Sequence, residues 1–309
     1  HFGVPRNLFR LKSRHSAAVL ELGTNHPGEI AQLTRLVKPD VSVVNNIGPA
    51  HLEFFGDLDG VAREKSAIFS ETYEGGTVVL PEDGPGHDIL SSAAGKRKKL
   101  VFGDSRRADI RVEYNGRKNN RFAMTLSWPK QSVRREILWT TGGAHQAMNA
   151  AAAAAAATAV GVAPDDIVTG LTQFAMPPMR MEITEENGIR WINDAYNANP
   201  ASMRAGIDWL AELAQTEPAL AVLGDMLELG KNSSSEHSAL LQWVTQTYPA
   251  LDVICVGEQM INAAAVCGLR GVADAGQARA VVREAEDQYA YIFLKGSRGV
   301  RLERILPDG

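Results

Sequence analysis

Apolar positions in the first half of the chain recur at two different spacings. Short apolar runs at residues 16–22 and 41–46 flank a segment at 29–37 with helical periodicity. A second helical pattern covers residues 57–72, and another apolar run follows at 77–80. This alternation of strands and helices predicts βαβ units, whose strands are parallel and whose crossovers are right-handed.

The pattern changes in the middle of the chain. Residues 121–128 alternate apolar and polar side chains, and the Asn-Gly pair at 115–116 is typical of a hairpin turn. We therefore predict antiparallel hairpins in this stretch. A long helix is predicted at 145–160, with Gly161 ending it, and another at 164–174.

Residues 175–180 (AMPPMR) form the best candidate for a domain boundary, because two prolines disfavour both helix and strand. A hairpin is predicted around residues 186–188, and βα units then resume. The strands are predicted at 220–224, 253–256 and 291–294, and the helices at 202–213, 234–247, 258–266 and 277–287. We predict an α/β protein of two domains, residues 1–176 and 177–309, the second doubly wound.

Composition and charge argue against several classes of protein, including nucleic-acid-binding and membrane-spanning ones. A net charge of -4 with mixed signs gives no reason to expect nucleic acid as a partner, and the basic run at 96–99 (KRKK) is interpreted as a solvated turn. No apolar run is long enough for a membrane span, and no signal peptide is recognisable. Cys255 and Cys267 are expected to be reduced thiols, which favours a cytoplasmic location.

Four polar side chains fall near the predicted strand ends of the first half, where open parallel sheets bind ligands. Glu21 ends the first strand, Asn46 and His51 follow the second, and Lys65 lies on the next helix. A carboxylate and an imidazole at adjacent strand ends can hold Mg²⁺ beside phosphates. Each residue alone also has an ordinary structural interpretation, as a capping carboxylate, a hydrogen-bonding histidine or a surface lysine.

Several strings resemble the Mur ligase family of ATP-dependent, peptide-bond-forming ligases. They are ELGTNHPGEI (21–30), NNIGPAHLEFFG (45–56), VAREKSAIF (61–69), NDAYNANPASM (193–203), LGDMLELG (223–230) and KGSR (295–298). The C-terminal strings resemble the member that joins D-alanyl-D-alanine to UDP-MurNAc-tripeptide in peptidoglycan synthesis. The resemblance covers nearly the whole chain and implies an ATPase-type parallel-sheet domain followed by a Rossmann-like C-terminal domain.

The resemblance also implies roles in the first half. Glu21 would bind the Mg²⁺ that bridges two ATP phosphates, and His51 would bind a second Mg²⁺. Lys65 matches a lysine that is carbamylated in the family, which makes it a carboxylate-like metal ligand. Asn149, in the string GAHQAMNA (143–150), would contact adenine, and Asn46 would lie on the substrate side.

In the second half, Arg180 matches an interdomain arginine that reaches the γ-phosphate. Asp194 would contact the ribose, with Tyr196 and Asn197 nearby. The remaining implied substrate contacts are Asn199, Asp225, Glu228, Lys295 and Ser297. As isolated features, residues 225–228 also fit a helix N-terminus and 196–199 an ordinary turn.

The implied reaction begins with attack of the substrate carboxylate on the γ-phosphoryl group of ATP, which gives an acyl phosphate. The amine of D-alanyl-D-alanine then displaces phosphate. Such catalysis is mostly positioning and charge neutralisation, for which Lys65, His51 and Arg180 are the implied catalytic residues. The protein is expected to act as a monomer.

The sequence departs from the family in lacking a GxxxxGK[ST] phosphate loop, which GKNSS (230–234) imitates only weakly. Residues 1–11 resemble the stretch shortly after that loop, and the family's N-terminal uridine-nucleotide domain has no counterpart. We therefore expect these 309 residues alone to be inactive. The alternatives are a related ligase, such as one that adds glutamate to folate, and a non-catalytic binding or scaffolding protein.

Overall fold

The computed structural model describes residues 3–49, 52–118, 121–140 and 142–307. The chain divides into two compact units, which are described separately. Unit 1 comprises His1–Tyr114, Met124–Ile137 and Gln146–Thr172. Unit 2 comprises Asn115–Ala123, Leu138–His145 and Gln173–Gly309.

The first six strands form one sheet. They are β1 (Val41–Val43), β2 (Thr77–Pro81), β3 (Lys98–Gly103), β4 (Ile110–Lys118), β5 (Arg121–Trp128) and β6 (Val133–Trp139). They are hydrogen-bonded in sequence order, and β1 to β4 pair in parallel. The parallel βαβ organisation predicted for the first half is therefore confirmed.

Seven helices accompany this sheet in the described residues. They are α1 (Gly3–Leu8), α2 (Glu29–Val37), α3 (Leu52–Phe55), α4 (Leu58–Ser70), α5 (His87–Ala93), α6 (Ala144–Ala159) and α7 (Pro164–Thr172). Helix α4 begins after Asp57, whose carboxylate accepts a hydrogen bond from the Gly60 N–H at 2.7 Å. Its buried Val61 and Phe69 belong to the same core cluster as Val78 of β2, which fixes α4 against the sheet.

Two predictions for this region are wrong. Residues 16–22 form no strand, and Val19 is 99% exposed, because no strand lies beside them in the described residues to satisfy their backbone groups. The Asn-Gly pair at 115–116 lies within β4 and is not the hairpin turn. Gly116 adopts the left-handed φ of 72° that such a pair favours, but the strand continues to Lys118.

Unit 2 contains the second six-stranded sheet. Its strands are β7 (Glu182–Glu186), β8 (Ile189–Asn193), β9 (Ala219–Gly224), β10 (Asp252–Val256), β11 (Arg270–Val272) and β12 (Tyr291–Lys295). Their order is β11-β10-β9-β12-β8-β7, with only the β7–β8 pair antiparallel among the registers of this sheet. The predicted hairpin turn is confirmed, since Asn187 and Gly188 both have positive φ. Strand β11 was not predicted.

The helices of this second sheet are α8 (Pro200–Ala214), α9 (Ser233–Thr247), α10 (Glu258–Cys267) and α11 (Ala275–Arg283). Strands β9 and β12 are buried along their whole length, as expected for central parallel strands. Trp191, Val222, Ile292 and Leu302 share the core. Both cysteines are free thiols, and every helix in the described ranges is too short or too polar to span a bilayer.

Candidate active site

Three of the strings that resemble the family follow adjacent strands of the second sheet. Asp194 comes directly after β8, Asp225 directly after β9, and Ser297 two residues after β12. The chain crosses the sheet from β8 to β9, β10 and β11 and then returns to β12, which lies between β9 and β8. Open α/β sheets bind ligands beyond the carboxyl ends of their strands, near such a change of direction. A Cβ at Gly296 would lie 3.0 Å from the Cα of Gly224, so the two strand ends approach too closely for larger residues.

A buried ion pair organises the loop after β8. The ammonium of Lys295, whose side chain is 3% exposed, lies 2.5 Å from Oδ2 of Asp194. It also donates a hydrogen bond to the carbonyl oxygen of Asn197 at 3.2 Å, and Oδ1 of Asp194 accepts one from the Met181 N–H at 3.2 Å. A buried charge requires such partners, so Lys295 fixes residues 194–197.

Arg180 and Tyr196 form an exposed stack beside this pair. The guanidinium carbon of Arg180 lies 4.1 Å from the centre of the Tyr196 ring, a cation–π geometry. The residues on either side of Arg180, Met179 and Met181, have φ of 61° and 53°, in the left-handed region that β-carbon-bearing residues disfavour. The Tyr196 N–H donates to the Met179 carbonyl at 3.2 Å, which ties the two segments together.

The turn after β9 is held at three consecutive backbone positions. The carbonyl of Asp225 accepts from the Ser297 N–H at 3.0 Å, and the Leu227 N–H donates to Oγ of Ser297 at 2.9 Å. Between them, the Met226 N–H donates to Nε2 of His237 at 2.9 Å. The next residue, Glu228, is exposed and has a φ of 64°. The turn therefore presents Glu228 from a fixed backbone.

Two of the predicted substrate residues also stabilise helix ends. The carboxylate of Asp225 accepts from the Met260 N–H of α10 at 2.8 Å, and the side chain of Asn199 accepts from the Ser202 N–H of α8 at 2.8 Å. Ser202 completes a capping box by accepting from the Asn199 N–H. No helix begins at residues 225–228, so the interpretation of that motif as a helix N-terminus is wrong, although Asp225 accepts from an amide near the start of α10. Asn199 ends the other motif as the N-cap of α8. Whether the same side chains contact a substrate stays a prediction.

In unit 1, the loop after β1 and helix α4 are joined by Lys65. Its ammonium donates to the carbonyl oxygen of Asn46 at 3.1 Å, and burial lowers the pKa of Lys65 from its ordinary value. Asn149 is exposed on α6, where its amide donates to Oε1 of Gln146 at 3.2 Å. The Lys65 amine is not an oxygen ligand for Mg²⁺, but a carbamate on it would be.

Glu21 is exposed on the irregular segment that leads to α2. It lines a cavity of about 1030 Å³ together with Arg10, His15 and His26. Its carboxylate is chemically suited to Mg²⁺. His51 lies outside the described residues, and no group of three or more His, Cys, Asp and Glu side chains placed to hold a metal occurs in the part that the structure describes. The predicted two-metal site therefore stays a prediction.

Sequence reasoning missed two buried polar residues that organise these loops. Glu64, on α4, accepts hydrogen bonds from the segment that leads into α2, and His237, on α9, holds the turn after β9. His237 is fully buried, and its Nδ1 lies 2.7 Å from the Ser233 carbonyl, which assigns it the neutral tautomer protonated at Nδ1. The sequence signal that could have identified His237 is a titratable side chain on the apolar face of the helix predicted at 234–247.

The chain matches the description "Mur ligase middle domain" over residues 1–157 and "Mur ligase, glutamate ligase domain" over residues 179–298. It belongs to the Mur ligase family. The predicted family, the α/β fold class and the prediction of a ligase are thereby confirmed.

Within that family, this chain is similar to UDP-N-acetylmuramoyl-tripeptide–D-alanyl-D-alanine ligases. The enzyme of Escherichia coli (strain K12) is 34% identical over 98% of this chain and 67% of its own length. That of Bacillus subtilis (strain 168) is 30% identical over 100% and 67%. The chain thus spans about two thirds of the length of these relatives.

Solved structures agree with this placement. A crystal structure of MurF from Acinetobacter baumannii matches with a TM-score of 0.88 and 31% identity, over 98% of this chain and 66% of that one. The MurF ligase of Thermotoga maritima, solved in complex with ADP, has a TM-score of 0.81 at 24% identity over 93% and 65%, and shares the fold.

Proposed function

We propose that this protein joins D-alanyl-D-alanine to UDP-MurNAc-tripeptide with ATP, through an acyl phosphate. The observation that carries the proposal is the placement of three family strings at the ends of the adjacent strands β8, β12 and β9. There the Lys295 ammonium donates to Asp194, and the Ser297 N–H donates to the Asp225 carbonyl. The two relatives described above act on these substrates according to their names, which supports the same substrates here.

Nucleotide contacts are assigned to the exposed residues near the Asp194–Lys295 pair. Tyr196 and Arg180 expose an aromatic ring and a guanidinium, and Asn197 follows in the same loop. We propose that Asp194 contacts the ribose, with Tyr196 and Asn197 nearby, and that Arg180 neutralises the γ-phosphate. Separately, Asn149 of unit 1 is proposed to contact adenine. Arg suits that role because its planar fork of N–H donors matches phosphate oxygens.

Substrate contacts are assigned more broadly. They are Asn46, Asn199, Asp225, Glu228, Lys295 and Ser297. Of these, Glu228 is exposed from a fixed turn, whereas Lys295 is buried and acts through Asp194. The exposed carboxylate of Glu228 suits the ammonium end of a dipeptide.

Magnesium is assigned to Glu21, His51 and a carbamylated Lys65. The lowered pKa of Lys65 supports the modification, because only a neutral amine attacks carbon dioxide. When bound, Mg²⁺ supplies neutralisation of phosphate charge. Among the chain's own residues, Arg180 is the one proposed to supply N–H donors to the γ-phosphate.

We further propose domains at 1–176 and 177–309, a cytoplasmic location and a monomer. The family matches at 1–157 and 179–298 support the boundary. A nucleotide-linked substrate and ATP support the location. That the 309 residues alone do not turn over ATP stays a prediction, which an assay of ADP formation by this chain would test.

The decisive experiment follows ADP and product formation by the full-length protein with UDP-MurNAc-tripeptide, D-alanyl-D-alanine and Mg²⁺. Arg180→Ala is expected to lower kcat by about 10²-fold or more. Arg204→Ala is the matched control, because Arg204 also stacks on an aromatic ring, at 4.7 Å from Trp243. Absence of product with these substrates, or product only with a folate and glutamate, would refute the proposal. Nucleotide binding without any turnover would favour a scaffold.

A further inference from the structure

Glu64 is a buried carboxylate that accepts hydrogen bonds from one segment of unit 1, residues 24–30. It lies on α4 with 8% exposure. Its Oε2 accepts from the Gly28 N–H at 2.7 Å. Its Oε1 accepts from the Ile30 N–H at 2.9 Å and from Oγ1 of Thr24 at 3.2 Å. The Thr24 hydroxyl has a single hydrogen and also lies 2.9 Å from the His26 carbonyl, so the backbone N–H groups of Gly28 and Ile30 are the main donors to this charge-assisted anchor.

The segment that Glu64 anchors has no local cap of its own. Helix α2 begins after Gly28, which has a φ of 87° and no side chain to accept from the first N–H groups of the helix. Glu64 supplies that acceptor from another helix, more than thirty residues along the chain. Within the segment, the Glu29 carboxylate accepts from the Asn25 N–H at 2.8 Å, whereas Glu64 is the residue that ties the segment to α4.

Glu64 does not act as the counter-ion of its neighbour Lys65. Residues adjacent in a helix project about 100° apart, and the Lys65 ammonium donates to the Asn46 carbonyl instead. An ion pair with Glu64 would raise the pKa of Lys65, whereas burial lowers it. Consecutive residues of α4 thus hold two different loops, the one before α2 and the one after β1.

We propose that Glu64 is a positioning residue, which fixes segment 24–30, and with it the preceding Glu21, relative to the helix that carries Lys65. This inference rests on the proposed function, in which Glu21 and Lys65 serve the same phosphate site. Lys65 would then serve the phosphate site directly, and Glu64 would hold the neighbouring segment in position. Loss of the Glu64 anchor would let Glu21 move while leaving Lys65 in place.

The test uses Glu64→Gln in the full-length protein, because glutamine keeps the size but turns an N–H₂ group towards backbone N–H donors. Glu71→Gln is the matched control. Glu71 also joins α4 to α2, through hydrogen bonds to Arg35 at 3.0 and 2.5 Å, but it lies at the far end of α4. The readouts are amide hydrogen exchange at Gly28 and Ile30 and the Mg²⁺ concentration that gives half the maximal rate.

In Glu64→Gln, exchange at both amides is expected to accelerate at least about tenfold, and the half-saturating Mg²⁺ concentration to rise by about tenfold. Glu71→Gln should change neither. A merely destabilised enzyme would lose kcat without a shift in the Mg²⁺ requirement. Thr24→Val removes a hydroxyl that is shared between Glu64 and the His26 carbonyl, and it gives a milder version of the same shifts if Glu64→Gln does not fold.

Protected amides in Glu64→Gln would overturn the proposal, and so would fast exchange with an unchanged Mg²⁺ requirement. The proposed function fails separately, if the wild-type protein makes no product. Amide exchange then still decides whether Glu64 fixes the segment, since that measurement needs no substrate.

Discussion

Removing one member of the Asp194–Lys295 pair is predicted to destabilise unit 2 strongly and unequally. Asp194→Asn leaves the Lys295 ammonium in a site where its side chain is 3% exposed. Its other hydrogen bond within the described residues goes to the Asn197 carbonyl at 3.2 Å. An uncompensated buried charge costs about 3–5 kcal/mol, which corresponds to a fall in Tm of roughly 10 °C or more.

Lys295→Met is predicted to cost less, about 2 kcal/mol, because Asp194 is 15% exposed and keeps the hydrogen bond from the Met181 N–H. The double variant Asp194→Asn with Lys295→Met contains no buried charge and should resemble Lys295→Met alone. The coupling free energy between the two positions is therefore expected to be about 3–5 kcal/mol, equal to the cost of Asp194→Asn.

Calorimetric unfolding of the four proteins in this cycle measures these values. Far-ultraviolet circular dichroism before heating controls for misfolding. Equal losses in the two single variants, with additive losses in the double variant, would refute the argument that Lys295 is stabilised chiefly by the Asp194 charge.

Three further predictions follow from other contacts. Asn199→Ala should lower the free energy of unfolding by about 1 kcal/mol, with Asn199→Asp close to wild type in denaturant titrations, because Asn199 caps α8. Gly257→Ala should lower the free energy of unfolding more than Gly268→Ala in the same assay. Both glycines have a positive φ, but only at Gly257 would an added Cβ lie 2.5 Å from the carboxyl carbon of Asp225. Burial and the hydrogen bond to Asp208 raise the pKa of Tyr248 from 10.0 to about 12. The contact therefore stabilises the fold below pH 10, and this stabilisation is lost as the pH rises through 12. Asp208→Asn should lower the pKa of Tyr248, which an ultraviolet tyrosinate titration measures.

Periodicity predicted the elements whose amphipathic face and end signals agree. Residues 57–72 have apolar positions at helical spacing and begin with Asp57, and the helix observed is Leu58–Ser70 with Asp57 as its cap. The same holds for α2, which matches the predicted 29–37. In these segments the local sequence and the buried face specify the same structure.

Strand formation was predicted less well because it depends on a partner. Residues 16–22 have the composition of a buried strand, yet their backbone pairs with no strand in the part of the chain described here. The short β11, Arg270–Val272, has little apolar character and forms through its parallel pairing with β10. Neither outcome can be read from the side chains of the segment alone.

The site motifs illustrate a further limit, because one string holds residues with different tasks. In the turn after β9, Asp225 caps α10 while Glu228 is exposed from a backbone with positive φ. In the loop after β8, Asp194 pairs with Lys295 of β12 while Tyr196 remains 47% exposed. The buried polar side chains form hydrogen bonds with the backbone, because a buried polar group without a partner raises the free energy of the folded state. The exposed members of each motif, held by those buried ones, are therefore the residues best placed to contact a ligand.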